Sequence, residues 1–206
     1  MEQSFIAFLE DSIQKNWDLD ALTDYKGATL QYKDVARKIE KLHIIFELSG
    51  IKKGDKIAVC GRNSSHWGVT FLATITYGAV IVPILHEFKA DNIHNIVNHS
   101  EAKLLFVGDQ AWENLNEDAM PLLEGIASLT DFTALVSRNE KLTYAFEHRN
   151  AIYGQRYPKI SVTGRTVRKN WLSSIIPPAL PDIPKESCSP TAVFGRTWHT
   201  VSRCFP

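Results

Sequence analysis

The chain has 206 residues, 44% of them hydrophobic and 22% charged, with equal numbers of acidic and basic side chains. Such a composition excludes collagen, coiled coil and a wholly disordered chain, and the length is enough to bury a core without disulfide staples. The longest apolar run, Ala79 to Leu85, is far short of a bilayer span, and the first residues lack the basic and apolar blocks of a secretory leader. The three cysteines form no Cys-x-x-Cys pair, so a reducing, cytoplasmic setting is expected, with peripheral contact to the inner membrane left open.

In chain order, Phe5, Leu9 and Ile13 recur at helical spacing and Ala28 to Tyr32 reads as a short strand. Val35, Ile39, Leu42 and Phe46 form a second helical stripe that ends at Gly50. Lys56 to Gly61 follows as a strand whose Ile57-Ala58-Val59-Cys60 run is continuously apolar, the mark of a parallel strand covered on both faces. Ser64 to Thr76 then predicts a helix with Trp67, Phe71 and Ile75 on one face, Ala79 to Val82 another buried strand, and Asn92 to His99 a helix with Ile93, Ile96 and Val97 inward. Lys103 to Val107 is a third core strand. A β-α-β-α-β run with right-handed crossovers predicts an α/β fold, a parallel sheet with helices on both faces.

The chain changes character near residue 160. Up to Lys159 there are 17 Lys and Arg against 21 Asp and Glu; beyond it there are 6 against 2, and six of the nine prolines fall in the last thirty residues. We therefore divide the chain into residues 1–159, an ordered α/β unit, and residues 160–206, an irregular tail expected to be disordered. The basic tail has no periodic face, so no nucleic-acid partner is expected.

No dinucleotide fingerprint, Walker loop, His-Glu-x-x-His, Gly-x-Ser-x-Gly or Cys-x-x-Cys pattern occurs. His94 and His99 are five apart and do not share a helical face, so a solvated or capping role outweighs metal ligation, and no metal site is expected. Lys52-Lys53 beside Gly54-Asp55 reads as a solvated turn. His86-Glu87 directly follows a predicted core strand, and ligands of open parallel sheets bind beyond the carboxyl ends of strands; a plain polar loop is the competing reading.

Four segments in register resemble the amino-terminal region of the adenylate-forming AMP-binding enzymes, the AMP-forming acyl-CoA synthetases, and among these the bacterial long-chain fatty acid CoA ligases. They are Thr29-Leu30-Gln31-Tyr32-Lys33-Asp34-Val35, Gly50 to Val59 with its Gly54-Asp55 turn, Asn63-Ser64 through Trp67, Phe71-Leu72-Ala73 and Tyr77-Gly78-Ala79-Val80 to Val82-Pro83, and Ile96 to Val107 with Ser100-Glu101-Ala102-Lys103. After Pro83 the family often carries Asn-Pro, where this chain has Ile84-Leu85-His86-Glu87-Phe88-Lys89.

The resemblance implies ATP, Mg2+ and CoA as cofactors and cosubstrates, and a fatty acid as substrate. It also implies a place for His86 and Glu87 on the CoA side. The family's phosphate loop, adenine segment, magnesium-binding Thr-Glu pair, ribose-binding Asp and lid lysine lie further along and are not visible in this chain. No residue of 1–159 is assigned as catalytic, and the fragment is expected to be inactive and to bind none of these ligands well. A free-standing, non-catalytic binding or assembly module with a native tail is the alternative.

The tail carries a second message. Joining each unknown third codon base to the first two bases of the next codon, the stretch from Ile175 can read Asn-Tyr-Thr-Ser-Gly-Thr-Thr-Gly-Tyr-Ser-Lys-Gly-Val-Met. Pro178 to Ala179 can read only xGC, which includes Gly, and Lys185 to Glu186 leaves only Arg or Gly. The hydroxyls and backbone N–H groups of such a loop cradle phosphates. The expectation is that residues from about 160 are translated out of frame, through a frameshift, a pseudogene or a sequencing error.

Overall fold

The computed structural model describes residues 5–156; the tail from residue 160, and with it the frameshift reading, lies outside them. Helix α1 (Phe5–Lys15) leads into a hairpin of β1 (Asp20–Thr23) and β2 (Thr29–Gln31), then α2 (Tyr32–Leu48), β3 (Lys56–Cys60), α3 (Ser65–Tyr77), β4 (Val80–Ile84), α4 (Ala90–Ser100) and β5 (Leu104–Val107). A short helix α5 (Asp109–Trp112) and a 3-10 turn at Glu117–Ala119 precede β6 (Gly125–Ser128), β7 (Ala134–Ser137) and α6 (Glu140–Arg156). The sheet order is β4-β3-β5-β6-β7. The first four strands are parallel, with Ile57 opposite both Ile81 and Leu104, and β7 closes the far edge antiparallel to β6.

The expected parallel α/β unit is present, and the apolar runs explain it. Ile57 to Cys60 and Leu104 to Val107 are buried at every position because the sheet has a packed layer on each side. On one side Val35, Ile39, Leu42 and Phe46 of α2 meet Val59, Phe106 and the Leu142, Ala145 and Phe146 stripe of α6. On the other, Ile93 and Val97 of α4 join Met120 and Leu123 over Ala58, Leu105 and Ile126. Phe46 and Phe106 meet edge to face with centroids 6.3 Å apart, a favoured aromatic geometry.

Turn chemistry sets the element ends. Ser64 Oγ accepts from the Trp67 amide at 3.1 Å and opens α3. Gly78 ends it in the left-handed region at φ 84°, with Lys53 so close that a Cβ there would sit 3.3 Å from the lysine Cγ. The Asp55 carboxylate accepts from the Lys52 amide at 2.7 Å and from Lys103 Nζ at 3.0 Å, so the Lys52 to Asp55 turn is locked to the start of β5.

Three details differ from the sequence reading. The strand at Ala28–Tyr32 is one arm of a separate hairpin, and Tyr32 already belongs to α2. The strand near Ala79–Val82 is the sheet edge rather than a buried strand, with Val80 and Pro83 exposed. In α3 the deeply buried positions are Val69, Thr70, Ala73, Thr74 and Thr76, whereas Trp67, Phe71 and Ile75 lie half-buried on the outer side. A helix apolar all round gives no moment from which to tell its faces apart, and small residues let it sit close against the sheet and α2.

At the open edge, the Val80 amide donates inward to the Asp55 carbonyl at 2.8 Å. In a parallel strand alternate residues face alternate sides, so Val82 and Ile84 also face β3 and Pro83, which has no N–H, faces outward.

Two stability predictions follow from buried groups. His43 is 8% exposed, with Nε2 2.9 Å from the Ala73 carbonyl and 3.0 Å from Thr76 Oγ1; burial lowers its pKa from 6.5 to about 4. The unfolded chain takes up this proton as pH falls through 6.5, while the folded chain resists until about 4. Stability is therefore full above the unfolded value and falls across that window by about 3 kcal/mol. Urea titrations from pH 7.5 to 4 should show this loss, and His43→Gln should flatten the slope. Gly125→Ala places a methyl against Leu142 Cδ2 and 2.9 Å from the Val136 carbonyl oxygen, so it should cost about 1–3 kcal/mol or more in the same titration.

Candidate functional site

The connection from β3 runs to β4 on one side of the sheet and the connection from β5 runs to β6 on the other. Their carboxyl ends therefore flank a crevice, the place where open parallel sheets take ligands. Its floor is a pair of glycines. Gly108 N donates to the Cys60 carbonyl at 2.8 Å, and a Cβ on Gly61 would stand 2.6 Å from Leu129 Cδ2 and 3.4 Å from Gly108 N. A side chain at Gly61 would therefore have to displace the tip of Leu129 at this floor.

Two adjoining cavities occupy the edge. The larger, about 440 Å³, is lined by Asp24, Arg62, Ser64, His66, His86 and Thr130, among others. The second, about 300 Å³, has Arg62 and His86 in common with it and adds Glu87, Phe88 and Asn114. Sequence reasoning placed His86 and Glu87 here, and the structure brings both to the edge: His86 into the walls of both cavities, Glu87 into the second alone. It did not find Asp24, Arg62, His66, Asp109 or Thr130. Arg62 and Asp109 lie two residues past the ends of β3 and β5, a signal that was readable; Asp24 arrives from a hairpin and Thr130 from the turn after β6, a strand the sequence pattern did not mark.

Two acids of the larger cavity, Asp24 and Asp109, are internally satisfied. Asp24 accepts from the Ser65 amide at 2.6 Å and from Ser65 Oγ at 2.8 Å, tying the hairpin to the positive end of α3. Asp109 accepts from Thr130 Oγ1, 3.0 Å from each carboxylate oxygen. His66 bonds the Leu129 carbonyl through Nδ1 at 3.1 Å and lies against Phe132, with centroids 4.6 Å apart; burial, with the Lys38 charge added, lowers its pKa and favours the neutral ring. Burial also pushes the Cys60 thiol up to about 11, so it stays protonated. Arg62 and His86 have no hydrogen bond or ion pair among the described residues, which leaves them as the edge's uncommitted donors.

His94 is buried on α4, and its Nε2 accepts from the Asn116 amide at 3.1 Å, a contact that ties α4 to the loop before β6; His99 is exposed. Among the described residues no three His, Cys, Asp or Glu side chains converge as a metal site. No helix among them is long and apolar enough to cross a membrane.

A mainly parallel open sheet with a crevice at its switch point is the α/β architecture whose ligands are taken beyond the strands' carboxyl ends. The family model of the AMP-binding enzyme matches residues 9–155, and the chain belongs to that family. Among curated relatives, YdaB of Bacillus subtilis (strain 168) is 33% identical over 89 residues, which is 43% of this chain and 18% of that protein. Long chain acyl-CoA synthetase 3 of Arabidopsis thaliana is 29% identical over 122 residues, 59% of this chain and 18% of that protein. The matches thus span less than a fifth of these relatives' own length. The fold matches the anthranilate CoA ligase AuaEII, solved with anthranoyl-AMP, with a TM-score of 0.56 at 18% identity, covering 60% of this chain and 24% of that one. The chain therefore has the fold of the amino-terminal subdomain of adenylate-forming enzymes, and its relatives include acyl-CoA ligases.

The Asp24 clamp carries its own expected outcome. Asp24→Ala removes the acceptor for the Ser65 amide and should lower stability by about 1–2 kcal/mol. Hydrogen exchange should then quicken in β1 and β2 and at the first turn of α3, with α4 and β5 unchanged.

Proposed function

We propose that these 206 residues carry the amino-terminal part of a long-chain fatty acid CoA ligase. The complete reaction joins ATP and a fatty acid into an acyl-adenylate with release of pyrophosphate, then passes the acyl group to CoA and releases AMP. The observation that carries this reading is the family match across residues 9–155 together with relatives named long chain acyl-CoA synthetases.

CoA fits the edge through its phosphates. Arg62 and His86 sit in the wall common to both cavities with no competing partner among the described residues, and a guanidinium is suited to bind phosphate in a bidentate manner. We place His86 and Glu87 on the CoA side for that reason, with Glu87 orienting and Arg62 and His86 holding. ATP and Mg2+ do not fit the described residues in the same way. The acids at the crevice are already bonded to Ser65 and Thr130, and no phosphate loop is spelled in the frame as read. Positioning and charge neutralisation around the phosphates supply most of the rate in such chemistry, so this chain is catalytically silent. For the complete enzyme this reading carries a cytoplasmic setting, with peripheral contact to the inner membrane where a long-chain acid would be drawn from it.

The Ser-Gly-Thr-Thr-Gly sequence available in the second codon frame gives the tail its origin: a change of frame after Lys159. Sequencing the coding DNA through the stop tests this. A single-base change that opens a long frame through the loop is the expected result; codons that cannot spell the loop defeat it and favour the free-standing binding module. The 206-residue chain should release no pyrophosphate from ATP, Mg2+, CoA and palmitate, and turnover by the pure protein would overturn its silence. In the frame-restored enzyme, His86→Ala with Glu87→Ala should raise the CoA KM several-fold at little changed fatty acid KM.

A further inference from the structure

Up to Lys159 the chain is acidic, with 17 Lys and Arg against 21 Asp and Glu, so its cations have carboxylates to spare. Lys15, Lys33, Lys56, Lys103 and Arg156 each pair with one. Against that background Arg37, Lys38 and Lys41 of α2 gather with Arg149 of α6 where the two helices pack together. Arg37 and Lys41 are four apart and Lys38 and Lys41 three apart, spacings that set like charges side by side and cost stability. Of the four, only Arg37 has an ion pair, with Asp34 at 3.3 Å. Lys38 Nζ lies instead over the Phe132 ring, 5.9 Å from its centroid, Lys41 Nζ over Tyr153 at 5.3 Å, and the Arg149 guanidinium over Phe146 at 5.9 Å.

The acids nearby are engaged. Asp34 also accepts from the Gln31 amide at 3.2 Å, Asp131 accepts from the Thr133 amide and hydroxyl at 3.0 and 2.7 Å, and Glu40 is buried. Asp34 and Asp131 temper Lys38 and Arg149 from a distance without pairing with them. Burial lowers the pKa of both lysines, and like charge adds to it: Lys41 acts on Lys38, and Arg149 and Arg37 act on Lys41. Side chains that repel one another in this way break the local rule that charges are complemented, and such breaks collect at functional sites.

We propose that this junction binds a compact, multiply charged phosphate anion of the pyrophosphate class, with Lys38 and Lys41 as its main donors and Arg149 and Arg37 completing its charge. Cations gathered around Lys41 match a ligand that brings several negative charges to one place, whereas a single carboxylate would leave most of them unpaired. The guanidinium forks hold phosphate oxygens in pairs and the ammonium groups act as point charges. The lysine heads are drawn back over Phe132 and Tyr153, out of reach of a flat layer of lipid headgroups but open to a small anion settling between them. None of the four residues lines the crevice cavities, so this site is separate from the Arg62 and His86 wall.

Thermal unfolding of the full 206-residue chain tests the site, in about 5 mM sodium pyrophosphate, ten times a Kd of about 0.5 mM, against NaCl of matched ionic strength. Mass action should then raise Tm by about 4 °C. Lys38→Gln with Lys41→Gln should lose that rise, and Arg62→Ala with His86→Ala, at the crevice, should keep it. A second measurement needs no variant: pyrophosphate should slow acetylation of Lys38 and Lys41 by acetic anhydride several-fold, read by peptide mass, and leave the exposed Lys15 and Lys26 labelled as before. No rise in Tm, a rise kept by Lys38→Gln with Lys41→Gln, a rise lost with Arg62 and His86, or unchanged labelling of Lys38 and Lys41 would each overturn the proposal. Co-sedimentation with phosphatidylglycerol vesicles that Lys38→Gln with Lys41→Gln abolishes would overturn it too, in favour of a lipid surface. The readouts do not pass through acyl transfer, so they stand or fall separately from the acyl-CoA ligase reading.

Discussion

Everything in this unit hangs on strand β3. It is the first strand of the sheet to be made and it ends up inside, with β4 on one flank and β5 on the other. Because both of its faces are covered, Ile57 to Cys60 has no polar option, and because both flanks are paired it cannot shift register without moving two neighbours. The same placement creates the crevice. Where the connections leaving two adjacent strands, here β3 and β5, run off in opposite directions, a gap opens between their carboxyl ends, and Gly61 and Gly108 line it. The core and the ligand edge are thus two results of one topological fact.

Around the crevice the charges are arranged with economy. Of the three acids at this edge two are spent on structure, Asp24 on the first turn of α3 and Asp109 on the loop after β6, while Glu87 stands in the wall of the second cavity. Two basic groups remain uncommitted. The larger cavity therefore presents Arg62 and His86 as donors to an incoming ligand, and the second adds the Glu87 carboxylate beside them. Burial keeps His66 neutral and Cys60 protonated, so neither adds a charge of its own near neutral pH.

The sequence made this fold readable where its periodicities were clean. Continuous apolar runs at Ile57 and Leu104 and the stripe from Val35 to Phe46 determine strand and helix without help from the rest of the chain. The residues after Val107 were harder. β6 is the four-residue run Gly-Ile-Ala-Ser and β7 is Ala-Leu-Val-Ser, too short and too small to show a period, and each becomes a strand only because a finished neighbour offers it hydrogen bonds. α3 was legible as a helix but not in its orientation, since a helix without a polar side points everywhere at once. For the site, the position of His86 and Glu87 followed from the rule that loops after parallel strands carry function. Asp24 could not be found that way, because its role depends on a contact 41 residues away with Ser65.

Pro83 has a consequence for how such a chain behaves in bulk. A sheet with an open rim is a template: any extended segment that finds a row of free amides can lay itself alongside, and the product offers a fresh rim to the next. At the β4 rim an outward-facing position, Pro83, is an imino ring, so a newcomer would meet a gap in the ladder and a pyrrolidine standing in its path. Growth by strand addition stops there before it starts. At this rim the block to strand addition rests on a single residue whose chemistry is defined by the hydrogen it does not have.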